Sequence, residues 1–569
     1  MTTTEPHANR ETAFDPFDLE IIREYLQAAI DEMFAVTVRS SQSTMIYEVL
    51  DFAVGLTDAA GRQISQGAGL AILPGVFGEI VRGALEHHPI DTLNEGDILI
   101  SNDPYVPGGT HLNDFCLLMP VFFDGTVVGF AGNKAHWIDV GGKEPGSNPV
   151  DATETFEEGV RIPWTKIFRG GNIDDGLRAI LAANSRAPDT VIGDLYAQVA
   201  SVRTGARRLT EICTRYGVNT YMASVDRLIS ETARRCRMRL AELPHGTWST
   251  EQSIEIAGTL AKATVTVTIN DSGMTCDFTG TDPQIAGASI NLAGSGLQHA
   301  CSTVLQAIVG TEVPINAGTY ESLQVICPDG TFLTAGPPAA LSLYFQAVAI
   351  AADLVWRALS PIVPDRLPAG HYLFGGILVL SGPTPEGDFF VMAEPNPGGW
   401  GAGPGADGER ALTSLHGGDT LNVPVEVAEQ RFPVLIEKYC FDTSPGGSGQ
   451  WRGGEGVIRS VRILGEQAMA TPMGDHRTTP TWGADGGEPG NFNRTEILRA
   501  NGESETFIAS TRLMLSKGDV ISTITGKGGG WGDPRQRDPE LVRRDVRNGF
   551  ITANDAAEIY GVVISEAPQ

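Results

Sequence analysis

Two histidines and an aspartate have the types and spacing that metal or proton chemistry needs. The segment SNDPYVPGGTHLND supplies His111 and Asp114, and NKAHWIDVGG supplies His136 beyond an intervening hairpin. Two imidazoles with a carboxylate form a donor set suited to Mn²⁺, Fe²⁺, Zn²⁺ or Co²⁺. Asp124-Gly125 between apolar runs is a two-residue turn signal. With Phe123 opposite Thr126, His136 falls opposite Asn113, and His111 and His136 become diagonal neighbours on one face. The same parity sends Asp114 to the other face. Joining all three therefore requires a bulge or a loop ending near Thr110, and Gly108-Gly109 offers one. The competing reading is that these side chains serve loop backbone groups.

Other polar residues are weaker candidates. His87-His88 closes a helical stretch and fits the negative end of a helix dipole. Asp139, three residues after His136, is a candidate catalytic base or an acceptor that orients a ligand, with capping of a turn as the alternative. No GxxxxGK[ST] loop occurs, and in GKGGGWGD the lysine precedes the glycines, so if ATP is used its main site is expected elsewhere. Glycine runs such as NPGGWGAGPG could bind an anion, although tight turns and subunit packing explain glycine more often. There is no GxSxG elbow, and no cysteine stands in a nucleophile setting.

The elements that must hold these residues follow from periodicity. Asp15-Pro16, after a polar tail, opens a helix in which Leu19, Ile22, Leu26, Ile30 and Met33 recur at three and four. From Asp51 the texture turns to short strands, DFAVGLTD, GDILISNDPY and FCLLMPVFFDGTVVGFAG. A helix pair follows. Leu195, Val199, Val202, Ala206, Leu209 and Cys213 line its first member, which ends at Gly217, and the second spans about 225–243. Arg234, Arg235, Arg237 and Arg239 read as a solvated or ion-paired face. From Trp248 the pattern is β, with ATVTVTIN, the turn DSG and MTCDFTG. An apolar helix covers about 297–309, HYLFGGILVLSG resumes strand texture, and glycine clusters dominate to about 535, before two short helices around an Asn-Gly turn. The predicted class is α+β. A mixed α/β region over 1–247 carries the metal candidates, a β-rich middle covers 248–395, and a glycine-rich β region ending in short helices covers 396–569.

Composition narrows the function classes. The chain has 569 residues, 69 acidic and 41 basic, for a net charge of −28. That charge argues against a nucleic-acid or anionic-membrane binder. Seven scattered cysteines without a CxxC pair fit a reduced compartment. The N-terminus has no signal-peptide pattern, and no uncharged apolar stretch reaches the ~18 residues of a membrane span, so a soluble cytoplasmic protein is expected. Glycine, at 68 residues, exceeds the roughly 40 that average usage would give.

Taken together, YEVLDFAVGLTDAAGR, NDPYVPGGTHLNDFCLLMPVF, AHWIDVGG, ATETFEEGVRIP, PINAG, NVPVEVAEQRFP, GGSGQWRGGEG and GGGWGDPRQRDPELVRRDVRNG resemble the hydantoinase B/oxoprolinase family over nearly the whole length. That family comprises the B-type subunits of N-methylhydantoinases and the related acetone and acetophenone carboxylases. The resemblance implies a hetero-oligomer with an A-type subunit that carries the ATP site, and a divalent metal (Mn, Zn or Fe) in this chain. It maps the metal to His111, Asp114 and His136, with a further carboxylate from Glu48 or Asp51. Glu48 is favoured, and Asp51 would orient a ligand histidine. In the family that further carboxylate comes from the segment preceding DFS, whose serine is Ala53 here. The implied reaction is ATP-dependent opening of a cyclic amide, a hydantoin, 5-oxoproline or lactam. Carboxylation of a ketone is the alternative, towards which NKAHWIDVGG and YEVLDFAVGL lean, and a non-catalytic partner subunit is a third reading. In this light the glycine clusters become separate turns, some near the metal candidates and many at subunit contacts.

Overall fold

The metal candidates ride on a seven-stranded antiparallel sheet. In the computed structural model, which describes residues 16–67, 76–256, 259–373, 377–385, 387–415, 417–418, 420–473, 479–507 and 512–564, its strands are β1 (Phe52–Asp58), β2 (Gln63–Gln66), β3 (Ile98–Ser101), β4 (Asp114–Phe123), β5 (Thr126–His136), β6 (Thr165–Arg169) and β7 (Asn172–Ile173). Their spatial order is β2-β1-β5-β4-β3-β6-β7. The polar N-terminal tail lies outside the described residues. Among those residues the chain has twelve α-helices and several mainly antiparallel sheets, an α+β architecture.

Helices cover both faces of this sheet. On one face α1 (Pro16–Ser40) packs along the helix Pro188–Tyr216, and that helix lies on β4 and β5. Gly205 makes the close approach possible, because a Cβ there would lie 3.0 Å from the Cβ of Ala131. α2 (Thr44–Tyr47) leads into β1, and α3 (Phe77–His87) takes the opposite face. There Gly55 and Gly132, paired across β1 and β5, form a slot for the Phe77 ring. A Cβ on either glycine would fall within 2.5 Å of that ring. Since successive strand residues point to opposite faces, Ala131 and Gly132 mark the two sides. Double-sided burial is why FCLLMPVFF and VVGFAG read as continuous apolar runs rather than alternating ones.

The hairpin turns at Asp124-Gly125, whose φ angles of +48° and +74° suit that dipeptide. Phe123 pairs with Thr126 and Phe122 with Val127, but Val121 pairs with Gly129. Val128 is thus an extra residue, a β-bulge, and every pair beyond it moves by one. His136 consequently faces Asp114, not Asn113. The bulge that parity demands exists, but beside the turn rather than at Gly108-Gly109.

The remaining elements follow the sequence texture. The helix pair is Pro188–Tyr216 and Val218–Ala241, joined at Gly217 with φ +82°. Arg234 and Arg235 pair with Glu231, Arg237 with Glu321, and Arg239 with Glu242, so this basic face is ion-paired. Strands Gly246–Ile256, Thr259–Asn270, Gly273–Asp277 and Leu323–Ile326 form a second sheet, on which the helix Tyr344–Leu359 packs. Two further sheets, of four and five strands, are built from residues between Ile377 and Ile524. The glycine clusters interleave with one another: Gly399 N donates to Gly526 O, Gly454 N to Trp400 O and Ala402 N to Gly529 O. A Cβ at Gly399 or Gly528 would meet a carbonyl oxygen at 2.0 Å, so glycine here permits backbone to pack on backbone. All seven cysteines are unpaired, and among the described residues no helix is long and apolar enough to cross a membrane.

Candidate active site

Three neighbouring strands bring a row of polar side chains to one edge of the first sheet. Phe52 pairs with Ala135, and His136 N donates to Asp51 O at 3.1 Å, just ahead of β1. Asp114 pairs with His136 on the other side. Asp51, His136 and Asp114 therefore lie side by side across β1, β5 and β4. His111 joins them from the turn before β4, where Asp114 N donates to His111 O at 3.1 Å. The two imidazole centroids are 5.1 Å apart, and His111 Nε2 lies 3.2 Å from Asp114 Oδ1. His111, Asp114 and His136 are buried.

A surrounding set of hydrogen bonds holds the row. His111 Nδ1 contacts the carbonyl of Ser342 at 3.1 Å. That carbonyl is itself placed by Glu158, whose Oε1 accepts from Leu341 N at 2.7 Å and Ser342 N at 2.6 Å. Asp114 Oδ2 accepts from Thr110 Oγ1 at 2.6 Å and from the hydroxyl of Tyr344 at 3.2 Å. Lys134, buried on the same face as His136, donates to Gly108 O at 2.8 Å and so fastens the loop that carries His111.

Burial and mutual charge set the protonation of these groups. Burial pushes the Asp51 carboxyl up to about 7, with the Asp114 charge adding to it. Burial, reinforced by the charge on His111, depresses His136 to about 3, so its ring is neutral near pH 7. Burial opposes charge on His111 too, but Asp114 outweighs it and the ring is raised. Burial likewise opposes charge on Asp114, yet His111 and Lys134 hold that carboxyl below the usual range. Two enclosed atoms, Asp51 Oδ1 and His136 Nδ1, have no hydrogen-bond partner among the described residues. Among the described residues no group of three or more His, Cys, Asp or Glu side chains is arranged to hold a metal ion, and Asp114 and His111 bond to each other instead.

The other sequence candidates separate from this row. Glu48 sits half-buried at the C-terminal end of α2 and does not line the cavity beside the row, whereas Asp51 does. Asp51, entering β1, is the carboxylate that stands beside His136. Asp139 is fully buried, accepting from Gly141 N, Gly146 N and Arg186 N and pairing with the Arg186 guanidinium at 2.9 Å. Both its oxygens are occupied, which makes it a loop anchor rather than a base. His87 Nδ1 contacts Gly83 O and His88 Nε2 contacts Trp164 O, so both serve backbone groups.

The row opens on a cavity of about 360 Å³. Its apolar wall includes Met45, Val49, Phe345, Ile377, Val379 and Met473, and Glu394, Asn422 and Tyr439 contribute polar groups. Sequence reading missed Tyr344, Ser342, Glu158 and Glu394. Glu158 lies in the ATETFEEGVRIP segment, where its acidic pair was a usable signal. The other three come from distant parts of the chain and carry none.

A mainly antiparallel α+β chain with a buried His/carboxylate row beside an apolar cavity has close structural relatives. The crystal structure of an ATP-dependent caprolactamase from Pseudomonas jessenii superposes with a TM-score of 0.91 at 29% identity, covering 98% of each chain. A nucleotide-free acetone carboxylase shares the fold, with a TM-score of 0.89 at 19% identity over 97% of this chain and 80% of that one. The caprolactamase subunit beta of Pseudomonas jessenii is 30% identical over 97% of this chain and 96% of its own length. The sequence model of the hydantoinase B/oxoprolinase family matches residues 15–534, and the chain belongs to that family.

Proposed function

We propose that this chain is the B-type subunit of an ATP-dependent cyclic-amide hydrolase, working with an A-type subunit that carries the ATP site. The observation that carries this reading is the buried row of Asp51, His136, Asp114 and His111 on the wall of an apolar cavity, in a chain that aligns end to end with an ATP-dependent caprolactamase. The donor types suit a divalent metal. Two histidines and two carboxylates match zinc, manganese or iron donor sets. Donor atoms about 2.1 Å from a shared tetrahedral ion lie about 3.4 Å apart, close to the 3.2 Å between His111 Nε2 and Asp114 Oδ1. A cation there would also relieve the partnerless Asp51 Oδ1 and His136 Nδ1. When bound, such an ion lowers the pKa of water towards neutrality and polarises a carbonyl oxygen.

The chain's own residues prepare that chemistry. The Ser342 carbonyl, by accepting from His111 Nδ1, fixes the ring and its tautomer so that Nε2 faces Asp114. Thr110 and Tyr344 pin Asp114 Oδ2 and leave Oδ1 turned to the histidine. The apolar wall excludes bulk water from the activated ring and strengthens every polar contact inside the cavity.

The test is turnover by the complex with its A-type partner. ATP-dependent ring opening of lactams or hydantoins, unchanged by bicarbonate, is expected. Inactivity on all cyclic amides with incorporation of labelled bicarbonate into a ketone would replace this reading with carboxylation.

A further inference from the structure

A second polar group in the cavity has one saturated oxygen and one with no partner. Glu394, at the end of the strand Phe389–Glu394, is 1% exposed and lines the cavity. Its Oε1 accepts from Asn422 Nδ2 at 2.7 Å, Val423 N at 3.0 Å and Arg459 Nη1 at 2.6 Å. Its Oε2 is buried and has no hydrogen-bond partner among the described residues. Among the described residues three carboxylates line this cavity: Asp51, Asp114 and Glu394. Both oxygens of Asp114 are bonded, and Asp51 belongs to the proposed metal row. Glu394 therefore keeps one buried oxygen unpaired among the described residues.

The neighbours determine what can bind there. Arg459, stacked 5.1 Å from the Tyr439 ring, pairs with the Glu394 carboxylate, and Tyr439 OH donates to the side-chain oxygen Oδ1 of Asn422 at 2.7 Å. The carboxylate is thus fixed by four residues before any ligand arrives. An enclosed acceptor of this kind takes an N–H donor, and the leucine, valine and methionine walls favour an uncharged, apolar ring. Among the described residues no lysine or arginine lines the cavity to receive an anionic substituent.

We propose that Glu394 Oε2 accepts the ring N–H of the substrate, and that the substrate class is a neutral cyclic amide with a free N–H, an alkyl lactam or apolar hydantoin rather than the anionic 5-oxoproline. This rests on the cyclic-amide reading above. A hydrogen bond to a charged group contributes about 1.5–3 kcal/mol, so its loss should cost about ten- to a hundredfold in kcat/KM.

The experiment compares ε-caprolactam, N-methylcaprolactam and 5-oxoproline with the complex of this chain and its A-type partner, using wild type and Glu394→Gln. Wild type should prefer the N–H lactam over its N-methyl derivative by at least tenfold, with the difference in KM, and should turn over 5-oxoproline poorly. Glu394→Gln places an amide N–H₂ where Oε2 stood, so that preference should collapse or invert. The wild-type comparison needs no variant and stands even if Glu394→Gln misfolds. Equal turnover of both lactams by wild type, or the same discrimination in folded Glu394→Gln, overturns the role of Glu394 while leaving cyclic-amide hydrolysis intact. Absence of ATP-dependent ring opening on all three compounds would count against the underlying reading instead.

Discussion

At the scale of single residues, two carboxylates three positions apart have opposite fates. Asp51 lies in the row with His136, while Glu48 caps a helical turn outside it. His111→Ala, His136→Ala and Asp51→Asn should each abolish stoichiometric divalent metal in elemental analysis and lower turnover by at least about a thousandfold, the scale of losing a group that organises the reacting atoms. Glu48→Gln should keep both metal and turnover within about twofold. Glu158 acts at one remove, through the Ser342 carbonyl that orients His111. Glu158→Ala should weaken metal affinity by about 10–100-fold with the ligands intact, measured by chelator competition. An unchanged affinity would show that Ser342 holds its place without that carboxylate.

At the scale of elements, the hairpin and the loop before it decide which side chains meet. The Asp124-Gly125 turn was legible because type I′ geometry admits few dipeptides. The bulge at Val128 was not, since no residue type marks an extra residue in a run of valines, and yet it is what turns Asp114 to His136. The loop over 102–110 is packed tightly enough that a Cβ at Gly109 would lie 2.4 Å from Pro104 O and 2.6 Å from Asp103 O. Backbone atoms cannot yield as a side chain can. Gly109→Ala should therefore cost about 2–4 kcal/mol and displace His111, seen as a lower Tm together with substoichiometric metal. A variant with wild-type Tm and full metal would mean that the loop adapts.

At the scale of the whole molecule, buried acids shape the stability profile. Asp353, on the helix Tyr344–Leu359, accepts from Trp482 Nε1 at 2.9 Å, and burial pushes its carboxyl up to about 6. Unfolded, it titrates near 3.8. Between those values the folded state holds a proton that the unfolded chain has lost, so stability falls as pH rises through the window, and above pH ~6 the cost stays constant at about 3 kcal/mol. Thermal melts of Asp353→Asn should be flatter than wild type between pH 4 and 6, whereas parallel profiles would mean that Asp353 titrates normally. The proposed function also predicts that the purified chain alone turns over no ATP, and that activity appears only when the A-type subunit is added. The sequence by itself determined what depends on local preference and family pattern: the α+β class, the helix pair, the β hairpins and the family membership. The tertiary structure alone decided that Asp51 completes the row, that the Asp139 oxygens are occupied, that glycine clusters far apart in sequence interlock, and that Glu394 and Tyr344 share a cavity with residues more than 200 positions away. Periodicity reports which face a residue takes within its own element. Which elements come side by side is settled by burial of their apolar faces against one another, and that packing has no local signature.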